Sequence, residues 1–253
     1  MAEQVTCEQL LDILCAFDAF CRKGDISYSL HGGTLLGAIR EQDFIPWDDD
    51  ADVSMTRENY HKLLALLHGE GSDYCIRGSI KKQFCSSKDP NVWVDIFICD
   101  YITDSPLLHK LKLALLTMLD IMNRNRESYK LSNLKKYSPI KRLAYKVVYV
   151  FGQMIPKRWI AGCYQLISEK CFLGNRQQMF RSNDQYVGRK LCFPAVWMEH
   201  YKKVPFSDCE LSVLEDHDAL LRQCYGEDYM IPVRNDRNAQ VHNWIRAEKE
   251  INL

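Results

Sequence analysis

The sequence predicts an α+β protein: a mixed β-sheet with flanking helices, joined to a mainly helical, basic region. Three observations predict it. Residues 6–40 run in the order helix, strand, glycine turn, helix. Two short stretches, around Asp50 and around Asp95, alternate acidic and apolar residues with the period of a strand. Residues 105–172 interleave Lys and Arg with apolar runs at helical spacing.

Taken in order, Thr6 to Lys23 places Leu10, Leu11, Ile13, Leu14, Phe17 and Phe20 at helical intervals, opened by the capping-box pair Thr6 and Gln9 and closed by Gly24. Ile26 to Leu30 is a short β-type run that breaks at Gly32-Gly33, and Thr34 to Arg40 resumes as helix. Phe44 to Trp47 is a loop around Pro46. Asp49 to Met55 alternates like a strand and sets Asp50 and Asp52 on one face. Arg57 to His68 is an amphipathic helix, and Asn91 to Cys99 is a strand with Val92, Val94, Ile96 and Ile98 opposite Trp93, Asp95 and Phe97. Helices are expected at about 105–125, 138–153 and 156–172, short strands near 185–192 and 201–206, and a last helix at about 212–225. The organisation expected is a catalytic core over 1–104, a basic helical region over 105–180 and a C-terminal part, 181–253, packing back on the core.

Composition narrows the class. With 47% hydrophobic and 26% charged residues, the chain is an ordinary globular one and not a disordered, collagen-like or coiled-coil sequence. No run of about 18 apolar residues exists to span a bilayer. The N-terminus carries Glu3, Glu8 and Asp12 with no basic stretch before an apolar one, so the expectation is a cytoplasmic protein. The eleven cysteines include no CxxC pair, and they read as small buried hydrophobes in a reducing compartment. A net charge of zero hides an asymmetry. Residues 1–104 carry 9 Lys/Arg against 18 Asp/Glu, whereas residues 105–160 carry 12 against only Asp120 and Glu127. Such a basic, amphipathic stretch suits either the inner face of a membrane or an anionic nucleotide. Nucleic acid is not expected as a partner, because the acidic front half repels a long polyanion.

The chemistry concentrates in residues 31–52 and at Asp95. Phosphoryl chemistry loads negative charge onto the transferred group, so catalysis there is chiefly positioning and neutralisation. Two divalent cations do this when carboxylates bridge them, and two Asp at i and i+2 on a strand, with a third on its neighbour, supply such a set. Asp50, Asp52 and Asp95 are therefore the expected catalytic residues and metal ligands. Mg²⁺ prefers hard oxygen donors of this kind, with Mn²⁺ an acceptable substitute. Gly32 and Gly33 let the backbone approach a phosphate at a helix N-terminus, with Thr34 adding a hydroxyl and Arg40 a cation further along. Four acids within five residues, Asp48, Asp49, Asp50 and Asp52, repel one another unless something binds them.

The stretch His31-Gly32-Gly33-Thr34-Leu35-Leu36-Gly37-Ala38-Ile39-Arg40, followed by Phe44-Ile45-Pro46-Trp47-Asp48-Asp49-Asp50-Ala51-Asp52-Val53, resembles the signature of the LicD/fukutin family. Trp93-Val94-Asp95-Ile96-Phe97 and Leu221 to Tyr229 resemble its later motifs, while 105–180 matches only in general character. The resemblance implies a nucleotidyltransferase-type fold and transfer of phosphocholine, or a similar phospho-alcohol, from a CDP-alcohol donor to a glycan hydroxyl, with release of CMP. It also implies that Asp50 and Asp52 bind both metals, that Asp95 completes the site beside the acceptor, and that Asp48 supports them. The family's cysteine zinc site has no matching cluster here. A choline head calls for an aromatic cage, for which Trp47, Trp93, Trp197 and Tyr229 are candidates. His31 is a candidate phosphate or ribose contact, or else a structural strand-end histidine; His242 is a candidate phosphate contact near the end of the chain. A lipid-linked glycan acceptor would suit peripheral contact with the membrane. Two other readings stay open: true nucleotidyl transfer with release of pyrophosphate, and a non-catalytic glycan- or lipid-binding module.

Overall fold

Helix α1 (Cys7–Lys23) forms because its apolar residues recur on one side and both halves of the capping box are made: Gln9 N–H donates to the Thr6 hydroxyl and Thr6 N–H to the Gln9 side chain. The computed structural model describes residues 6–46, 48, 50–69, 72–125 and 138–232. Leu10, Ile13, Leu14, Phe17 and Cys21 of α1 are buried. Phe17 meets Tyr28 and Phe84 edge-on, at ring separations of 5.1 and 5.4 Å.

The described chain divides into two units, one of residues 1–100 with 177–253 and the other of residues 101–176. In the first, β1 (Ser29–Leu30) pairs antiparallel with β2 (Ala51–Thr56), and β2 runs parallel to β5 (Trp93–Ile102). Strands β3 (Tyr74–Arg77) and β4 (Lys82–Ser86) extend the sheet in the order β1-β2-β5-β4-β3. Strand β6 (Gln178–Arg181) also pairs with β5, and β7 (Cys192–Pro194) pairs with β6. The sheet is thus mixed, as the α+β expectation requires. Helices α2 (Gly32–Arg40) and α3 (Arg57–Gly69) flank it, and the separate hairpin of β8 (Tyr201–Phe206) and β9 (Cys209–Leu214) precedes α8 (His217–Tyr225).

The second unit consists of α4 (Pro106–Asn123), α5 (Pro139–Gln153) and α6 (Lys157–Lys170). Both α5 and α6 pack on α4. Lys112 of α4 is fully buried, and its ammonium donates to the Tyr101 carbonyl (2.7 Å) and the Ser168 carbonyl (3.0 Å). Among the described residues, no helix is long and apolar enough to cross a membrane.

Several elements differ from the sequence expectation, each for a local reason. The β-type run starting at Ile26 is a strand only at Ser29–Leu30, because Ile26 N–H closes the end of α1 by donating to Cys21 O. Residues 185–192, expected as a strand, instead contain the helix α7 (Tyr186–Lys190). Asp184 organises it: its carboxylate accepts from Gln185 N–H, its carbonyl accepts from the buried Arg189 guanidinium, and Gly188 leaves room for its side chain. The last helix begins at His217 rather than 212, since Ser212 to Leu214 complete β9, with Leu214 N–H donating to the Ser29 hydroxyl. Strands β3, β4 and β6 were not expected at all.

Candidate active site

The parallel register of β2 and β5 sets Asp52 directly beside Asp95, and Asp50 lies just ahead of β2. One carboxylate oxygen from each of Asp50, Asp52 and Asp95 lies within 4.8 Å of the others. Along β5 the burial alternates as anticipated, with Val94, Ile96 and Ile98 inward and Trp93, Asp95 and Phe97 half-buried on the other face.

Asp52 is the buried member, 7% exposed. Its carboxyl is held well above the usual carboxylate range, first by burial and then by the charges of Asp50, Asp95, Asp48 and Asp184. An arrangement that crowds ionised oxygens around a desolvated one is costly for the protein alone and is relieved by a cation. Hard oxygen donors, their convergence and this repulsion together fit Mg²⁺ or Mn²⁺.

The glycine turn holds Asp52 in place. His31 N–H donates to Asp52 O, and Asp52 N–H donates to the Thr34 hydroxyl oxygen, both at 2.9 Å. Gly32 has φ +57°, and a Cβ there would sit 2.6 Å from Asp52 Oδ2; at Gly33 a Cβ would strike Asp48. These glycines therefore make room for carboxylates, a role that the expectation of a close phosphate approach left out. Thr34, expected to present its hydroxyl to a phosphate, is fully buried and binds the strand that carries Asp52.

The remaining candidates sit as follows. His31 caps α2 in a buried position, its ring 4.8 Å from that of Phe97. Arg40, expected to reach a phosphate, pairs with Glu41 (2.7 Å) and donates to Tyr229 O (3.5 Å). Asp48 N–H donates to Ile45 O, and its carboxylate lies against Gly33. Trp47 and His242 lie outside the described residues. Of the aromatic cage candidates, Trp93 lies under the Arg77 guanidinium, Trp197 stacks on Phe193, and the Tyr229 hydroxyl donates to Asp218. Each has a packing or hydrogen-bonding role where it stands.

Residues that the sequence reading missed complete the surroundings. Gln83 Nε2 donates to Asp95 Oδ1 at 2.9 Å from the neighbouring strand. Asn183 clasps β5 by accepting from Ile98 N–H (2.7 Å) and donating to Ile96 O (2.8 Å). Asp184 forms a buried pair with Arg181 at 2.9 Å. Asp95, Asn183 and Asp184 line a small recess together with Lys81 and Lys82. Arg57 holds Asp100, at the end of this unit, with a two-pronged contact at 2.9 and 2.5 Å. The only sequence signal for the Asn183–Asp184 pair is a polar turn, Ser182-Asn183-Asp184-Gln185, and it carries no spacing to Asp95.

The site thus joins a mixed sheet, a glycine turn at the start of α2 and an aspartate trio carried by and beside two adjacent parallel strands. Comparison with known proteins agrees: residues 25–105 match the family model described as LicD/FKTN/FKRP, nucleotidyltransferase domain. The matched segment contains all three aspartates. It is 34% identical over 123 residues to the lipopolysaccharide cholinephosphotransferase LicD of Haemophilus influenzae, covering 41% of this chain and 45% of that one. It is also 44% identical over 45 residues to an uncharacterised protein of Rickettsia prowazekii, covering 18% of this chain and 17% of that one. A further uncharacterised protein, from Rickettsia typhi, is 49% identical over 37 residues, which cover 15% of this chain and 12% of that one. The chain thus spans less than half the length of each relative it matches.

Proposed function

We propose that this chain transfers phosphocholine, or a similar phospho-alcohol, from a CDP-activated donor to a glycan hydroxyl, releasing CMP. The observation that carries the reading is the convergence of Asp50, Asp52 and Asp95 to within 4.8 Å, inside the segment that matches the LicD nucleotidyltransferase domain. The name of the Haemophilus relative, a lipopolysaccharide cholinephosphotransferase, supports the group transferred and the class of acceptor.

In this reading Asp50, Asp52 and Asp95 hold divalent cations, Mg²⁺ for preference. Such cations supply charge neutralisation at the phosphates and orient the diphosphate. The acceptor hydroxyl oxygen bonds to the β-phosphorus, the bond from that phosphorus to the bridging oxygen breaks, and CMP leaves with the bridging oxygen. Asp95, its Oδ1 steadied by Gln83, takes the hydroxyl proton. Thr34 and the Gly32-Gly33 turn keep the Asp52 carboxylate aimed at the trio. Lys81 and Lys82, beside Asp95 in the recess, are basic groups within the same neighbourhood for the donor's phosphates.

The test is incubation of the purified chain with a panel of CDP-alcohols, a glycan acceptor and Mg²⁺, scoring CMP. Release is expected to need the metal and to stop with a chelator. Asp52→Ala is expected to lower turnover by at least about a thousandfold while the chain still folds. Near-normal turnover of that variant at saturating Mg²⁺ would overturn the metal-site assignment. Label from the donor's α-phosphate appearing in product, with pyrophosphate released from a nucleoside triphosphate, would replace the reading with nucleotidyl transfer.

A further inference from the structure

Helix α5 presents its apolar side to solvent. Arg142, Tyr145, Val148 and Tyr149 are only half-exposed and Gly152 is buried. They mark the side packed on α4, where Gly152 lies so close to Met122 that a Cβ would collide with its backbone. On the opposite side stand Ile140, Leu143, Val147, Val150, Phe151 and Met154, each between 58 and 82% exposed. They recur every three or four residues, the pattern that normally turns toward a core. The neighbouring helices behave alike: α4 leaves Leu107 and Leu111 exposed, and α6 leaves Trp159 and Leu166 exposed. Apolar surface on this scale on one small helical unit marks a contact surface.

Charge indicates what covers it. Between Glu127 and Glu169 the sequence contains eight Lys/Arg and no Asp or Glu. Lys141, Lys146 and Arg158 of that stretch are exposed beside the apolar residues. A stripe of aliphatic and aromatic side chains bordered by cations matches the boundary of an anionic bilayer, where apolar groups enter the acyl region and long basic side chains reach the phosphates. With no described helix able to cross a membrane, this helix suits lying in the interface. We propose that the outward face of α5 docks the protein on an anionic phospholipid surface. The contact stands apart from the transferase reading, and because it is measured without turnover its failure leaves that reading untouched.

The test is co-sedimentation of the full chain with vesicles of phosphatidylcholine alone, or with about 30% phosphatidylserine. Binding is expected with the anionic vesicles and is expected to weaken as salt rises. The double substitution Val147→Asp with Phe151→Asp is expected to weaken it at least tenfold, roughly. Lys141→Glu and Lys146→Glu are each expected to weaken it by about fivefold. Circular dichroism is expected to show unchanged helix content, since all four side chains are exposed. Should the paired aspartates unfold the chain, Val147→Ser alone is expected to reduce binding by about threefold. Failure of the wild-type chain to bind anionic vesicles, or equal binding by the variants, overturns the proposal. So does a concentration-dependent dimer that the same substitutions dissolve, which would mean that a second copy covers the stripe.

Discussion

Helices α1 and α5 carry the same kind of pattern and use it in opposite ways. Both place apolar residues at intervals of three and four. In α1, Leu10, Ile13, Leu14, Phe17 and Cys21 are buried, with α3 and β4 among the elements packed on the helix. In α5, Gly152 is the only buried residue, and the apolar stripe lies outside. Periodicity therefore announces a one-sided helix but leaves open which surface receives that side. In the unit bearing the aspartates the receiving surface is the protein's own sheet. In the helical unit the apolar stripe of α5 is left exposed.

That contrast can be broken by mutation. The largest stability effect is expected at Phe17→Ala, which empties a fully buried site between Tyr28 and Phe84 and should cost about 3–5 kcal/mol in chemical denaturation. A loss below about 1 kcal/mol would mean that α1 is not the core helix its burial implies. The helical unit has an interior too, and it is polar at one point. Lys112→Met keeps the volume of the side chain but leaves the Tyr101 and Ser168 carbonyls without their ammonium donor. Charged hydrogen bonds of this kind put the expected loss at about 2–3 kcal/mol in the same experiment. A neutral result would show that water replaces the lysine.

How much of this was legible in sequence depends on how local the cause is. The α1 cap lies within three residues, Thr6 to Gln9, and was readable. The trio was readable because Asp50 and Asp52 sit two apart and Asp95 occupies the face of an alternating strand opposite Val94, Ile96 and Ile98. The support around it was not. Gln83 reaches Asp95 from a short strand, β4, whose Lys82, Gln83 and Ser86 give no apolar alternation, and Asn183 clasps Ile96 and Ile98 from 87 and 85 residues away. No spacing rule links such partners. The contact Thr34 makes was not legible for a similar reason: a hydroxyl beside a glycine turn suits a phosphate, and only the approach of β2 shows it accepting from Asp52 N–H. Tyr186 and Val187 favour a strand by propensity, yet the contacts of Asp184 turn them into helix.

The smallest effect is the most discriminating. Val147 is 60% exposed on the outward face of α5, so Val147→Ala removes methyl groups that touch mainly water. In vesicle-free buffer its unfolding free energy is expected to stay within about 0.5 kcal/mol of the parent, in contrast to the large loss at Phe17. The same substitution should still weaken anionic-vesicle binding measurably, because burying fewer methyl groups in the acyl boundary forfeits roughly 0.8 kcal/mol per group. A residue that is silent in folding and audible in binding has its partner outside the protein. A loss of 1–2 kcal/mol in plain buffer, by contrast, would place that partner within the chain or in a second copy, and would make α5 a core helix like α1.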